Sequence, residues 1–101
     1  MTPNADFYVT SWGGTPQVDV RKWTLKIHGL VNQPLSLSYD DIKRLPPVEQ
    51  MLTLECISNP PDGKAISNAE WTGVKLRPLL EQAGVRRSAV YAAMHGADGY
   101  Y

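Results

Sequence analysis

The sequence predicts a domain of the α+β class, built mainly from β-strands in a largely antiparallel or mixed sheet, with short helices. The chain has 101 residues, which suits one domain and leaves no room for two. Several stretches alternate apolar and polar residues, as half-buried strands do. Helical spacing is confined to short stretches, so strands are expected to form most of the structure.

Four stretches are predicted to be strands. Residues 23–28 alternate in polarity and predict the first, and after a turn Leu35–Leu37 predicts a short returning strand. Val48–Cys56 alternates over the longest span. Val90–His95 alternates again and predicts a strand that ends at a glycine-rich loop.

Two short helices are predicted. Ser38 followed by Asp41 is typical of a helix start, because the serine can cap exposed amides and the aspartate suits the helix dipole. Pro46 must end this helix early, since proline lacks the N–H that a helix needs. The second helix ends at Gly84, which suits a left-handed cap, and its apolar residues are Leu76, Leu79, Leu80 and Ala83.

The strand over Val48–Cys56 has two faces of different polarity. One face carries Gln50, Leu52, Leu54 and Cys56, and the other Glu49, Met51, Thr53 and Glu55. Cys56 is therefore predicted at the end of the strand, on its apolar face. A loop is predicted over Ile57–Ala69, and a loop of this length in a small domain is more often a site than a connector.

Composition excludes several classes of function. Ten basic residues balance ten acidic ones, so nothing indicates nucleic-acid binding, which depends on clustered Lys and Arg. No stretch has the roughly 18 apolar residues of a membrane helix, and the first residues lack the pattern of a signal peptide. The single cysteine excludes an intrachain disulfide.

Three blocks of sequence resemble the sulfite-oxidase-like molybdopterin-dependent oxidoreductases. Thr53–Asn59 resembles the cysteine loop of that family, Ile66–Val74 the next block, and His95–Tyr100 the third. Also similar are Thr2–Asn4 with Phe7–Val9, and Trp23–Val31 with Pro34-Leu35, so the resemblance follows the chain in order. Because a family domain runs on further, residues 1–101 are expected to be the N-terminal part of a single molybdopterin-binding domain, with a truncated form of its fold.

The resemblance implies that Cys56 is a metal ligand. In the family, the matching cysteine binds molybdenum beside the two sulfurs of a molybdopterin dithiolene, and a soft thiolate suits such a metal. The reaction implied is two-electron oxygen-atom transfer on a small molecule, with electrons exchanged with a haem or quinone-linked partner. The family is often extracytoplasmic, so a bacterial periplasmic or membrane-attached location is expected.

Further cofactor contacts are implied one position at a time. Asp98 matches an acidic residue that hydrogen-bonds the pterin, although on its own it would be interpreted as a turn residue. The resemblance also implies that backbone groups of residues 95–97 contact the pterin and that residues 8–11 run along it. Four polar side chains are implied to shape the pocket around the metal: Ser58, Asn59, Ser67 and Asn68. The full set besides Cys56 is Tyr8, Val9, Thr10, Ser11, Ser58, Asn59, Ser67, Asn68, His95, Gly96, Ala97 and Asp98.

Two departures from the sulfite oxidases bear on the substrate. Where those enzymes have Arg-Asn-His, this chain has Thr10-Ser11-Trp12, and the loop after the cysteine has Asn59-Pro60-Pro61 in place of arginines. An anion such as sulfite needs charge-assisted donors. Sulfite is therefore not expected as the substrate. The sequence favours a bacterial-type relative of the sulfite oxidases, with a neutral S- or N-oxide as its substrate.

Other interpretations remain open. On its own, Cys56 could be an inert core thiol. A cysteine hydrolase would pair it with His95, which is as readily a structural residue at the end of a loop. A zinc site lacks the usual ligand spacing. The main alternative is a fragment or structural domain that binds no cofactor and has no activity.

Overall fold

The described residues form two separate antiparallel β-hairpins and two short α-helices. The structure is a computed structural model and describes residues 1–11 and 13–101. After a turn of 3-10 helix at Asn4–Asp6, its elements are β1 (Thr24–Ile27), β2 (Leu35–Ser38), α1 (Tyr39–Lys43), β3 (Val48–Glu55), β4 (Ile66–Gly73) and α2 (Leu76–Ala83). β1 pairs with β2, and β3 with β4. The prediction of a mainly β α+β fold is confirmed.

The first hairpin leads directly into α1. Thr24 lies opposite Ser38 and Ile27 opposite Leu35. The Ser38 Oγ accepts a hydrogen bond from the Asp41 amide at 3.0 Å, and the Asp41 carboxylate accepts one from the Ser38 amide at 2.9 Å. This reciprocal capping box confirms the predicted helix start, because it satisfies amides that a helix leaves without partners.

Among the described residues, three of the four buried hydrophobic side chains lie where α2 meets the turn after β1, and the fourth, Ala69, lies on β4. Leu79 and Ala83 are 4% and 0% exposed, and Val31 is 7% exposed. The Asn32 amide donates to the Gly84 carbonyl at 2.9 Å, so the end of the helix is joined to the turn by backbone hydrogen bonds. Gly84 has φ 68°, and a Cβ there would lie 3.0 Å from the Asn32 side chain. The predicted left-handed cap is confirmed.

The second hairpin is longer, and its boundaries correct the predicted loop. β3 pairs with β4 along its whole length, from Val48 opposite Gly73 to Glu55 opposite Ile66. The loop predicted over Ile57–Ala69 is therefore too long, because Ile66–Ala69 belong to β4. The polar residues Ser67 and Asn68 made this stretch resemble a loop. It forms a strand because it pairs with β3, and that pairing cannot be seen in the local sequence.

One further expectation for a strand is wrong. No strand forms at Val90–His95, where Tyr91 is 94% exposed, because no neighbouring strand among the described residues accepts its backbone hydrogen bonds. The apolar face of β3 is also largely uncovered, with Leu52 45% and Leu54 49% exposed. Alternation of polarity therefore located the faces of β3 correctly but not their burial.

The chain exposes more surface than a closed domain of its size. Its accessible surface is 8745 Å² for 11.2 kDa. A compact folded monomer of that mass exposes about 5,700 Å². Its radius of gyration is 16.0 Å, whereas a compact domain of this length has about 13 Å. No helix in the described part of the chain is both long and apolar enough to cross a bilayer.

Candidate active site

Cys56 lies directly after β3, where the chain leaves the second hairpin. Its amide donates to the Ala65 carbonyl at 2.9 Å, which continues the pairing of the two strands for one more residue. Its carbonyl accepts from the Asn59 amide at 2.9 Å, which starts a tight turn. The cysteine is a free, half-buried thiol, so its backbone is fixed on both sides while its sulfur remains accessible.

The surroundings of Cys56 favour the thiolate. The Sγ lies 3.1 Å from the Ser58 Oγ. The Ser58 hydroxyl lowers the pKa of the Cys56 thiol, with a smaller contribution from the Ser58 backbone, because a donor stabilises the charged sulfur more than the neutral one. The thiolate is the form that binds metals and acts as a nucleophile. Ser58, a predicted pocket residue, thus contacts the sulfur itself.

Asn59 shapes the loop that follows Cys56. Its side-chain Oδ1 accepts from the Ala65 amide at 3.0 Å, and its Nδ2 donates to the Glu55 carboxylate at 3.3 Å. The loop passes so close to itself that a Cβ on Gly63 would overlap the Asn59 Oδ1 and lie 2.8 Å from the Pro60 carbonyl. Asn59 therefore closes the base of the loop across the end of the hairpin.

The N-terminal segment is attached to β4 beside the cysteine. The Tyr8 amide donates to the Ser67 Oγ at 3.3 Å. Thr2 makes two hydrogen bonds with the backbone of Asn68, at 2.6 and 3.1 Å. The Phe7 ring meets the Trp71 ring edge to face, with 5.5 Å between the centroids. These contacts place the segment on the face of the hairpin that carries Ser67.

The Tyr8 side chain reaches the neighbourhood of Cys56. Burial raises the pKa of the Tyr8 phenol, and the negative charges of Cys56 and Glu55 raise it further. Asn68 differs, because its side-chain oxygen accepts from the Thr53 hydroxyl at 3.3 Å on the opposite face of the hairpin. Ser67 and Tyr8 thus lie on the side of the cysteine, and the Asn68 side chain lies on the other side.

A second group of predicted residues lies around Asp98. Its carboxylate accepts from the Tyr100 amide at 3.0 Å and caps a turn closed by the Gly96 amide on the Tyr100 carbonyl at 2.8 Å. Asp98 also lines a shallow cleft of about 250 Å³ with Gly13, Gly14, Thr15 and Pro16. The cleft connects to another predicted residue, since the Ser11 Oγ lies 3.1 Å from the Thr15 Oγ1.

The structure therefore divides the predicted site residues into two groups. Tyr8, Ser58, Asn59 and Ser67 lie on the side of Cys56, whereas Asp98 lines the cleft and Ser11 contacts Thr15 at its edge. Apart from Asn68, the other predicted site residues are exposed, namely Val9, Thr10, His95, Gly96 and Ala97. Trp12, which stands where sulfite oxidases have a histidine, lies outside the described residues.

Several contributors to the site were not predicted. Glu55 accepts from Asn59, and Thr2 holds Asn68. Gly13–Pro16 line the cleft with Asp98. The glycine pair at 13–14 is a loop signal that could have directed attention to the cleft. Thr2 lies in a stretch that resembles the family, but the resemblance gave it no role, because its partner Asn68 is distant in sequence.

The donor set at Cys56 fits a metal that brings most of its own ligands. Cys56 offers one soft thiolate, and no group of three or more His, Cys, Asp or Glu side chains gathers among the described residues. A metal bound there would need further ligands from elsewhere, and the two sulfurs of a dithiolene are soft donors of the matching kind. A cysteine hydrolase would need Cys56 beside His95. Among the described contacts, the Cys56 sulfur meets Ser58, and the His95 ring meets the Tyr101 ring, with 4.9 Å between the centroids.

The fold is that of a molybdopterin-binding oxidoreductase domain. The sequence profile of the oxidoreductase molybdopterin-binding domain family matches residues 12–101, and the chain belongs to that family. Membership confirms the predicted family and its class of cofactor. The individual site residues remain predictions that rest on their geometry.

Relatives come from several kinds of organism. The chain is 33% identical to the uncharacterized oxidoreductase YuiH of Bacillus subtilis, over 93% of this chain and 46% of that protein. It is 30% identical to nitrate reductase [NADH] of Volvox carteri (98% of this chain, 13% of that protein) and 30% identical to mitochondrial sulfite oxidase of Rattus norvegicus (97% and 21%). The chain thus spans less than half the length of these relatives.

A solved structure shares the fold. The sulfane dehydrogenase SoxCD from Paracoccus pantotrophus matches with a TM-score of 0.66 and 30% sequence identity, over 73% of this chain and 22% of that one. A match of this extent supports the assignment of the chain to the molybdopterin-binding fold.

Proposed function

We propose that the protein is a molybdenum-cofactor-dependent oxidoreductase in which Cys56 is the protein's ligand to the metal. The observation that carries the proposal is the Cys56 thiol, held between β3 and a closed loop and favoured as a thiolate by Ser58. When bound, the cofactor supplies two-electron redox chemistry, and the reaction proposed is oxygen-atom transfer on a small S- or N-containing substrate.

The residues around Cys56 have separate tasks in this proposal. Cys56 provides the thiolate, and the Ser58 hydroxyl stabilises the negative charge on its sulfur. Asn59 keeps the loop closed, so that the sulfur is presented in one orientation. Asp98, at the separate cleft beside Gly13–Pro16, is proposed to hold the polar pterin through its carboxylate.

The substrate is proposed to be neutral rather than sulfite. The loop after Cys56 carries Asn59, Pro60 and Pro61 where sulfite oxidases carry arginines, and its single cation, Lys64, is exposed. An anion that loses its water needs fixed charge-assisted donors, and exposed lysines provide little of this. The relatives include a nitrate reductase and a sulfite oxidase, so they support the class of reaction more than any one substrate.

We propose further that residues 1–101 are part of one larger domain. The accessible surface exceeds that of a compact monomer by about 3,000 Å². Leu52 and Leu54 remain about half exposed, as a sheet face does when its covering layer lies elsewhere. A haem or quinone-linked electron partner and a bacterial extracytoplasmic location complete the proposal, and cell fractionation of the native host tests the location.

The metal content of the purified protein tests the function. The full-length protein and its Cys56→Ser variant would be produced in a host that makes molybdenum cofactor, and molybdenum per chain would be measured by mass spectrometry. We expect stoichiometric metal in the wild type and, in the variant, a metal with one sulfur ligand fewer by X-ray absorption, because the dithiolene sulfurs remain while the cysteine sulfur is gone. Ser36→Ala, an exposed change on β2, is the control and should retain the metal.

Either of two results would contradict the proposal. Wild-type protein without molybdenum would exclude the cofactor, and an unchanged number of sulfur ligands on the metal in Cys56→Ser, measured by X-ray absorption, would exclude the cysteine as its ligand. Turnover of the loaded enzyme with sulfite, an S-oxide and an N-oxide then tests the substrate class. Faster turnover of sulfite than of both oxides would overturn the neutral-substrate proposal alone.

A further inference from the structure

Ser67 is buried in a way that its place on an open hairpin does not require. It is 6% exposed, while its cross-strand partner Leu54 is 49% exposed. Among the described residues, Ser67 is the one polar residue that is buried. A serine is rarely this buried unless its hydroxyl has a partner, and here the partner is the Tyr8 amide at 3.3 Å.

The hydrogen bond joins two parts of the chain that lie far apart in sequence. Tyr8 and Ser67 are separated by 59 positions. The same segment is held at Thr2 by the Asn68 backbone and at Phe7 by the Trp71 ring. The Ser67 hydroxyl is the group that holds this segment at Tyr8. Tyr8 is the residue of the segment whose phenol is close enough to Cys56 for the charge on the sulfur to raise its pKa.

Strand geometry places Ser67 on the cysteine side of the hairpin. Side chains alternate between the faces of a strand, and residues directly opposite each other share a face. Ser67 lies opposite Leu54, and Cys56 follows Leu54 by two positions, which is one full alternation. The segment held by the Ser67 hydroxyl therefore lies over the face towards which the thiol is directed.

We infer that Ser67 is a positioning residue, whose buried hydroxyl holds the segment around Tyr8 over Cys56 and so shapes one wall of the metal site. The inference rests on the proposed function, but the contact that it describes belongs to the protein alone. Ser67 acts through Tyr8 and need not touch the cofactor. Loss of its hydroxyl should let the segment open, expose the sulfur and weaken retention of the metal.

The reactivity of the Cys56 thiol in cofactor-free protein tests the positioning directly. Full-length protein made without molybdenum would be alkylated with iodoacetamide as wild type, Ser67→Ala, Ser67→Thr and the control Ser36→Ala. We expect Ser67→Ala to react about three- to tenfold faster, the shift in an opening equilibrium that one hydrogen bond produces. Ser67→Thr keeps the hydroxyl and should stay close to wild type, as should Ser36→Ala.

Hydrogen exchange at the Tyr8 amide supplies a second measurement, which can be made first on the wild-type protein alone. In wild-type protein this amide should exchange more slowly than an unstructured one, because its hydrogen is bonded to Ser67. In Ser67→Ala it should lose that protection while the amides of α2 keep theirs. General destabilisation would instead speed exchange in both places, so the comparison separates positioning from a merely structural role.

The outcomes distinguish this inference from the proposed function. An unprotected Tyr8 amide in wild type, or equal alkylation of wild type and Ser67→Ala, would overturn the inference even if the protein contains molybdenum. If the thiol and the amide respond as expected, the positioning stands whether or not metal is found. In molybdenum-loaded protein, Ser67→Ala should release the metal faster than Ser67→Thr, and equal release by the two would contradict a role at the metal site.

Discussion

The two hairpins of this protein are built on the same antiparallel pairing but are stabilised in different ways. The first has strands of 4 residues, and its turn is joined to α2 over a core of Val31, Leu79 and Ala83. The second has strands of 8 residues whose faces stay largely open. Its packing comes mainly from the N-terminal segment and from the loop that follows Cys56.

The difference separates stability from reactivity within one short chain. A core close to α2 contributes the burial of apolar surface, which is the main stabilising term in folding. The second hairpin leaves its cysteine on a loop, where a sulfur can meet a ligand that a buried core would exclude. Changes in the first hairpin should therefore lower stability with little effect on the thiol, and changes in the second should act on the thiol.

Removing a core side chain beside the first hairpin should have the largest effect on stability. Leu79→Ala is expected to lower the free energy of unfolding by about 2–5 kcal/mol, because it removes buried methyl groups and leaves a cavity. Leu76→Ala is the matched control, since Leu76 lies on the same helix and is 40% exposed. Denaturant unfolding of the full-length protein measures both. Equal losses would contradict the location of the core, and a changed rate of Cys56 alkylation under native conditions would contradict the separation of the hairpins.

The loop of the second hairpin offers a test of intermediate size. A Cβ on Gly63 would overlap the Asn59 Oδ1 and displace it from the Ala65 amide. Gly63→Ala is therefore expected to cost about 1–3 kcal/mol, as overpacking does. It should also change the rate at which Cys56 is alkylated, because Asn59 closes the loop on which the sulfur sits.

Gly73 supplies the control for this substitution. It ends β4, and a Cβ there would meet nothing within 4 Å. Gly73→Ala should therefore leave both the stability and the alkylation rate nearly unchanged. If the two alanines behaved alike, the close approach around Gly63 would have no part in holding the cysteine loop.

The sequence predicted those features of the fold that depend on neighbouring residues. Ser38 with Asp41, and Gly84 after α2, are local signals, and each was found as a helix cap. The start of β4 was missed because its pairing with β3 crosses a loop. The expected strand at Val90–His95 has no strand to pair with in the part of the chain that the structure describes. Alternation shows which residues could share a face, but the partner strand decides whether a strand forms.

The same limit applies to the candidate site. The contact between Cys56 and Ser58 spans two positions and follows from a local turn, so the family block could indicate it. Tyr8 with Ser67, and Thr2 with Asn68, are separated by 59 and 66 positions. Nothing in a local pattern brings such residues together. The division of the predicted residues between Cys56 and the Asp98 cleft was likewise a matter of tertiary structure.

The smallest predicted effect concerns the charge on the sulfur and leaves the fold in place. The Ser58 hydroxyl lowers the pKa of the Cys56 thiol below its ordinary 9.0 by stabilising the thiolate. Ser58→Ala should therefore raise that pKa, and at neutral pH a smaller fraction of the thiol would be ionised. In cofactor-free protein, alkylation of Cys56 should slow at neutral pH, and its pH profile should move to higher pH.

The pH profile also shows whether the hydroxyl acts through charge or through access. Well above the ordinary pKa, wild type and Ser58→Ala are both ionised, so their alkylation rates should converge if charge is the cause. Ser58→Thr keeps a hydroxyl and should retain the low pKa. A constant ratio of rates at every pH would mean that Ser58 only shields the sulfur. The second hairpin would then present an accessible thiol without activating it, and metal binding would depend on the cofactor to ionise the cysteine.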